Sequence, residues 1–82
     1  MDGKLSNVAS HKLRAAICSI RPDLADLVPA EYVDACQDWY GALSVSDRML
    51  ATLAVVTFEK GVVSGAETMV SGLPPAPMLP MG

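Results

Sequence analysis

Apolar residues recur at every third or fourth position in the first quarter of the chain, the spacing that places them on one face of an α-helix. The pattern predicts a first helix over residues 5–20. It stops at Arg21 because the next residue, Pro22, disfavours the helical conformation in the residue before it. Pro22 itself suits the first position of a helix, which predicts a short helical turn over residues 22–28.

A second helical pattern follows Pro29 and predicts a helix over residues 30–41. Its apolar positions form one stripe, made by Tyr32, Cys36, Trp39, Tyr40 and Leu43. Three carboxylates line the opposing face at spacings of three and four, and we call them the acidic ridge: Glu31, Asp34 and Asp38. A solvated face is the ordinary role of such a row, and a patch that meets a basic protein surface is the functional alternative.

The third helical pattern begins after Leu43, where Ser44 or Ser46 is suited to cap a helix. The apolar stripe that follows keeps its phase to the end of the pattern and predicts one long helix over residues 45–71. Its members are Leu50, Ala54, Phe58, Val62, Ala66, Met69, Val70 and Leu73. The prolines beyond Gly72 end the helix because proline lacks the backbone donor that a helix requires.

Two further expectations concern this third helix. Three of its large side chains are expected to be central to the core: Leu50, Leu53 and Phe58. The alternative to one continuous helix is a break at Gly61 with a restart at Ser64, since Ser64 and Glu67 have the spacing of a capping box. The unbroken phase of the stripe favours the continuous helix.

The predicted fold is therefore all-α, a small bundle of three main helices over residues 5–20, 30–41 and 45–71 with the short turn at 22–28. We expect residues 1–72 to form the helical domain and residues 73–82 to form an extended C-terminal arm. Only four of the 82 residues are aromatic, so the core must be built from aliphatic side chains, which suits close-packed helices.

The C-terminal arm combines proline with large apolar side chains and contains no charged residue. Disordered linkers are usually polar and charged, whereas proline stiffens this segment into extended geometry. A floppy end is the plain interpretation, and an arm that docks onto another subunit is the functional one. The residues expected to bind a partner are Leu73, Pro74, Pro75, Pro77, Met78, Leu79, Pro80 and Met81.

Charge and hydropathy argue against several classes of partner. The net charge is −3 and the six Lys and Arg residues are spread along the chain, which argues against nucleic acid or an anionic membrane as the main partner. The longest apolar run, from Met49 to Phe58, is about half of the roughly 20 residues that a membrane span needs. The polar first ten residues do not resemble a signal peptide.

Candidate chemistry is sparse. His11 is the only histidine, and Cys18 and Cys36 lack the short paired spacings that mark zinc sites. We expect both cysteines to be small buried apolar residues in a reducing compartment, with a disulfide as the alternative. The sequence therefore predicts no catalytic residue, no cofactor and no metal, and a protein that is not an enzyme.

The function that best fits these features is a small structural protein that assembles with larger protein subunits, with a homo-oligomer as a possibility. Minor capsid, cement and scaffolding components of virus particles are small and poor in catalytic residues in the same way, so a virion or the cytoplasm is the expected location. The alternative is a cytoplasmic adaptor or inhibitor that binds a basic protein surface through the acidic ridge. In that case Trp39 and Tyr40 beside the ridge would serve as contact residues.

Overall fold

The computed structural model describes residues 10–24 and 28–78, and the regular structure in those ranges is entirely helical. The predicted all-α class is confirmed, but four helices replace the three main ones that were expected. In chain order these are α1 (His11–Ile20), a 3₁₀ turn (Pro22–Leu24), α2 (Ala30–Gly41), α3 (Val45–Glu59) and α4 (Val63–Val70). Residues 5–9 of the predicted first helix, residues 25–27 of the predicted turn and residues 79–82 of the arm lie outside the described residues.

Two serines fix the starts of helices. The Ser10 hydroxyl accepts hydrogen bonds from the backbone N–H groups of Lys12 and Leu13, at 3.2 and 3.3 Å, and caps α1. Ser44 caps α3 in the same way, accepting from the N–H of Asp47 at 3.1 Å. Of the two candidate caps for the third helical pattern, Ser44 is therefore the one that is used.

The continuous helix predicted over residues 45–71 is wrong, because the chain leaves the helix at Gly61. Gly61 has φ 91°, a left-handed conformation that glycine adopts without steric cost. The N–H of Gly61 donates to the carbonyl of Phe58 at 2.9 Å, and the N–H of Val62 donates to that of Thr57 at 3.1 Å. This pair of bonds is the Schellman motif, which satisfies the last carbonyls of α3 and turns the chain.

The restart of the helix also differs from the alternative that the sequence offered. α4 begins at Val63 rather than at Ser64, and its N-terminus has no side-chain cap. Glu67, which would complete a capping box in that alternative, instead accepts a hydrogen bond from the backbone N–H of Ser10 at 3.0 Å. Its carboxylate therefore joins α4 to the positive end of the α1 dipole.

The main core lies where α1 packs against α3 and α4, which also pack against each other. Its buried members come from all three helices and from the segments beside them: Leu13, Ala16, Ile17, Leu43, Ala51, Ala54, Val55, Phe58, Ala66, Val70 and Leu73. The many alanines allow the helices to approach closely. α1 is the central helix, since its other side packs on α2.

A second, smaller core lies between α1 and α2 and is formed by Ala15, Cys18, Tyr32 and Cys36. The Ser19 hydroxyl bridges the two helices, because it lies 2.8 Å from the carbonyl of Ala15 and 2.7 Å from that of Cys36. Both cysteines are buried and free, as the sequence predicted. This cluster fixes the position of α2 against α1.

The expected phase of α3 is wrong in one respect that decides the surface of the molecule. Phe58 is buried, but Leu50 and Leu53 are exposed, at 38% and 53% of their full areas. The core side of α3 is instead made by Ala51, Ala54, Val55 and Phe58. α3 therefore buries mostly small side chains and leaves large ones outside.

Candidate functional site

A row of large apolar side chains runs along the solvent side of α3. We call it the outward stripe, and it consists of Val45, Met49, Leu53 and Val56. Their exposed fractions are 66, 62, 53 and 41%, respectively. Spacings of four, four and three place them within one narrow arc of a helix that turns about 100° per residue. The stripe is therefore one continuous feature.

The outward stripe and the core side of α3 lie almost diametrically opposite each other. At about 100° per residue, the stripe centres near Met49 and Leu53, whereas the core side centres near Ala54 and Phe58. A surface helix ordinarily opposes its apolar face with a polar one, and a helix that is apolar all round is usually buried on every side. α3 has apolar residues on two opposite sides with polar residues on the flanks between them, and only one of the two apolar sides is covered.

A groove of about 510 Å³ lies along one flank of the outward stripe. Its walls are Tyr40, Val45, Arg48, Met49, Thr52 and Leu53. The hydroxyl groups of Tyr40 and Thr52 are 3.2 Å apart, and the Thr52 hydroxyl also donates to the carbonyl of Arg48 at 2.9 Å. These bonds hold the polar wall of the groove, formed by Tyr40, Arg48 and Thr52, in place. The remaining lining residues, Val45, Met49 and Leu53, are apolar.

Charges follow the same flank at both ends of α3. Arg48 lies in the first half of the helix and Glu59 is its last residue. Glu59 accepts a hydrogen bond from Arg21, which also forms an ion pair with Asp23 at 2.8 Å. The pKa of the Arg21 guanidinium is raised by Asp23 first and by Glu59 second. Arg21 consequently holds the Glu59 side chain at the surface.

The outward stripe exposes more contiguous apolar area than the single apolar residues that are scattered over an ordinary protein surface. Its four side chains expose roughly 400 Å² of mostly apolar area, which is within the range of the largest patches on monomeric proteins, and such patches are often functional. Leu50 enlarges the patch at its edge. The residues are adjacent along one helix, so a partner helix or sheet could cover them together.

The acidic ridge lies where the sequence placed it. Glu31, Asp34 and Asp38 are all exposed along α2. Trp39 and Tyr40, the aromatic residues beside the ridge, are each half-buried and engaged within the chain. The Trp39 indole donates to the carbonyl of Pro74 at 3.4 Å. The acidic ridge therefore faces solvent, whereas Trp39 and Tyr40 make contacts within the chain.

The described part of the C-terminal arm lies back on the bundle. Leu73 is buried in the main core, and Ala76 packs against the cluster between α1 and α2. Pro77 is half-buried, whereas Pro74, Pro75 and Met78 are exposed. The other three residues expected to bind a partner, Leu79, Pro80 and Met81, lie outside the described residues.

Two thiols and one phenol are enclosed in the small core between α1 and α2. A hydrogen bond with Cys36, together with burial, raises the pKa of the Cys18 thiol, and the same bond lowers the pKa of Cys36. Burial, followed by the charge of Cys36, raises the pKa of the Tyr32 phenol, whose oxygen has no hydrogen-bond partner among residues 10–24 and 28–78. All three are buried, so no reactant reaches them without local opening.

Metal ligation and membrane spanning find no support in the described ranges. No group of three or more His, Cys, Asp and Glu side chains there could hold a metal ion. No helix within those ranges is sufficiently long and apolar to cross a membrane. His11 is exposed at the start of α1, in a second groove formed with α4 and the arm.

Sequence reasoning missed the outward stripe as a site, although its signal was present. The run from Met49 to Phe58 forms part of α3, which is buried on one side only. A second set of apolar residues at spacings of three and four, alongside the first, is the pattern of a helix with two covered sides.

No protein-family model matches the chain, and neither the curated proteins nor the solved structures gave a significant match.

Proposed function

We propose that this chain is a small, non-enzymatic assembly protein that works by laying the outward stripe of α3 against another protein subunit. One observation carries the proposal: α3 is apolar on two opposite sides, and its own bundle covers only one of them. Covering the stripe removes apolar area from water at about 25 cal/mol per Å², a gain that a monomer forgoes. A minor structural component of a virus particle is one setting for such a subunit.

The exposed part of the arm extends the proposal to a second contact. Met78 presents 67% of its area to solvent at the end of the described chain, close to Pro75 and Ala76. The packing of Leu73 and Ala76 on the bundle would hold Met78 and Pro75 in a fixed position for a neighbouring subunit. The outward stripe is the primary site in this proposal, because it is larger and continuous.

The test compares two methionines with matched exposure. Met49 is 62% exposed on the stripe and Met78 is 67% exposed on the arm. Tagged Met49→Glu and Met78→Glu variants are expressed in the native host, and lysates are separated by density-gradient sedimentation. The wild type is expected to sediment within a large assembly, and Met49→Glu is expected to sediment as a small free species. If Met49→Glu sediments with the wild type while Met78→Glu is released, the arm is the docking element and the proposal for α3 is wrong.

The acidic ridge favours a second candidate, an adaptor that binds a basic protein surface. Its three carboxylates are exposed on one helix, which creates a local negative field beyond the modest net charge. Replacing Glu31, Asp34 and Asp38 by lysine would abolish such binding, and raising the salt concentration would weaken it. An assembly held together by the outward stripe would instead withstand salt, because burial of apolar area is not screened.

A further inference from the structure

We infer that the subunit that covers the outward stripe is a second copy of this chain, paired antiparallel through α3 about a two-fold axis near Leu53. The inference rests on the proposed function and names the partner of that surface. In a two-fold interface each copy presents the same patch, so the patch must be complementary to itself. The outward stripe meets this requirement in shape, in charge and in area.

The shape of the stripe suits helix-to-helix packing. Met49, Leu53 and Val56 repeat at spacings of four and three, which is the pattern of side chains that interdigitate between two helices. With the axis near Leu53, the leucines of the two copies meet at the centre, and Met49 of each copy lies near Val56 of the other. No other helix of the bundle has to move for this contact, because the stripe is exposed along its whole length.

The charges of the stripe favour the antiparallel orientation. Arg48, Thr52 and Glu59 follow one flank of α3 at spacings of four and seven. In an antiparallel pair, Arg48 lies about as far before the axis as Glu59 lies after it, so each Arg48 approaches the Glu59 of the other copy. A parallel two-fold pair would place the two flanks on opposite sides of the contact, so neither Arg48 would approach a Glu59 of the other copy. The antiparallel orientation also suits the two helix dipoles, because the positive end of each helix lies beside the negative end of the other.

The area of the stripe matches the apolar centre of a stable interface. A standard interface buries about 800 Å² per partner, of which somewhat more than half is apolar. The four stripe residues supply roughly 400 Å², and Leu50 adds to this at the edge. The polar rim is already present beside them as Tyr40, Arg48 and Thr52.

The first experiment measures the mass of the purified full-length chain by sedimentation equilibrium over a range of concentrations. The wild type is expected to approach twice the 8.6 kDa mass of one chain. Met49→Glu, which would bring two carboxylates into the contact, is expected to remain at the mass of one chain. The matched control, Met78→Glu, is expected to associate like the wild type. Circular dichroism of each variant verifies that the helices are retained.

The second experiment tests orientation with a short thiol crosslinker and single introduced cysteines. In the antiparallel pair, Leu53→Cys lies beside the axis and crosslinks to its counterpart. Val45→Cys lies eight residues away, about 12 Å from the axis and about 24 Å from its counterpart, and does not crosslink. A parallel pair would crosslink at both positions. The native Cys18 and Cys36 are buried, and the crosslinking that they give without an introduced cysteine is the background level.

The outcomes separate this inference from the function on which it rests. A wild type that remains at the mass of one chain at all concentrations overturns the inference of a second copy. If Met49→Glu is nevertheless released from the large assembly in the density gradient, the stripe binds a different protein and the proposed function stands. Crosslinking at both Leu53→Cys and Val45→Cys would overturn the antiparallel arrangement.

Discussion

The indole nitrogen of Trp39 donates a hydrogen bond to the carbonyl oxygen of Pro74, 3.4 Å away, and so ties the C-terminal arm to α2. The contact joins residues that are 35 positions apart in the chain. It gives a half-buried tryptophan a partner for its polar edge, which such residues usually find. The arm, which was expected to extend from the bundle, is thereby part of its surface up to residue 78.

Removing the arm should change the fluorescence of Trp39. The chain contains a single tryptophan, so its emission reports this one contact. A chain that ends at Leu73 keeps the core leucine but loses Pro74, and we expect its emission maximum to shift to longer wavelength because the indole becomes more hydrated. A chain that ends at Met78 is the control and should emit like the full chain. Equal spectra for all three would show that the arm does not cover Trp39.

Two leucines provide a matched test of the core. Leu73 is 2% exposed, whereas Leu53 is 53% exposed. Leu73→Ala should lower the free energy of unfolding by about 2–5 kcal/mol, because it leaves a cavity between the helices. Leu53→Ala should change it by no more than about 0.5 kcal/mol when measured in dilute solution, where copies do not associate. Urea denaturation measures both, and a larger loss for Leu53→Ala would contradict the observed phase of α3.

The turn between α3 and α4 should depend on the absence of a side chain at residue 61. Gly61→Ala forces an alanine into a left-handed conformation, which should cost about 1–2 kcal/mol. Gly41→Ala is the control, since Gly41 is helical and nothing lies within 4 Å of the added Cβ. That change should be neutral or stabilise by up to about 1 kcal/mol. Thermal unfolding of both variants is the measurement, and equal effects would argue against the Schellman turn.

The buried thiol cluster predicts a loss of stability at alkaline pH. The folded state raises the pKa values of Cys18 and Tyr32, so the unfolded chain loses these protons first as the pH rises. Stability from Cys18 therefore declines as the pH rises through about 9.0, the pKa of an unfolded thiol, and stability from Tyr32 declines as it rises through about 10.0, the pKa of an unfolded phenol. Each group contributes a slope of up to about 1.4 kcal/mol per pH unit. The folded state lowers the pKa of Cys36, so the contribution of this thiol to stability increases with pH, but only at pH values below about 9.

Tyr32→Phe isolates one part of this pH dependence. It removes the phenol oxygen that lacks a partner, so its stability at neutral pH should equal or exceed that of the wild type. It should also show a shallower loss of stability above pH 10, with the remaining loss due to Cys18. Urea midpoints between pH 7 and 11 measure both effects. Identical slopes for the variant and the wild type would mean that Tyr32 does not titrate during unfolding.

The local signals of the sequence determined the class of fold and several helix boundaries. Pro29 precedes a helix over residues 30–41 as predicted, because proline suits a helix start regardless of what the helix later contacts. Ser44 caps α3 for an equally local reason, since its hydroxyl bonds a backbone N–H three residues ahead. The all-α class followed from apolar spacing, and the free buried cysteines followed from their chemistry.

Tertiary structure decided the features that matter for the surface. The phase of the apolar stripe passed through Gly61 unbroken, yet packing of α4 against α3 required the chain to turn there, and glycine allowed it. The stripe predicted from the sequence included Ala54 and Phe58 on the buried side of α3, but α3 is also apolar on the opposite side, and periodicity could not say whether that second side would be covered. The neighbouring helices selected the side with the small residues around Ala54, because only small side chains permit close approach, and left Met49 and Leu53 outside. Periodicity measures the spacing of apolar residues, whereas the identity of the buried face is set by the surfaces that pack against it.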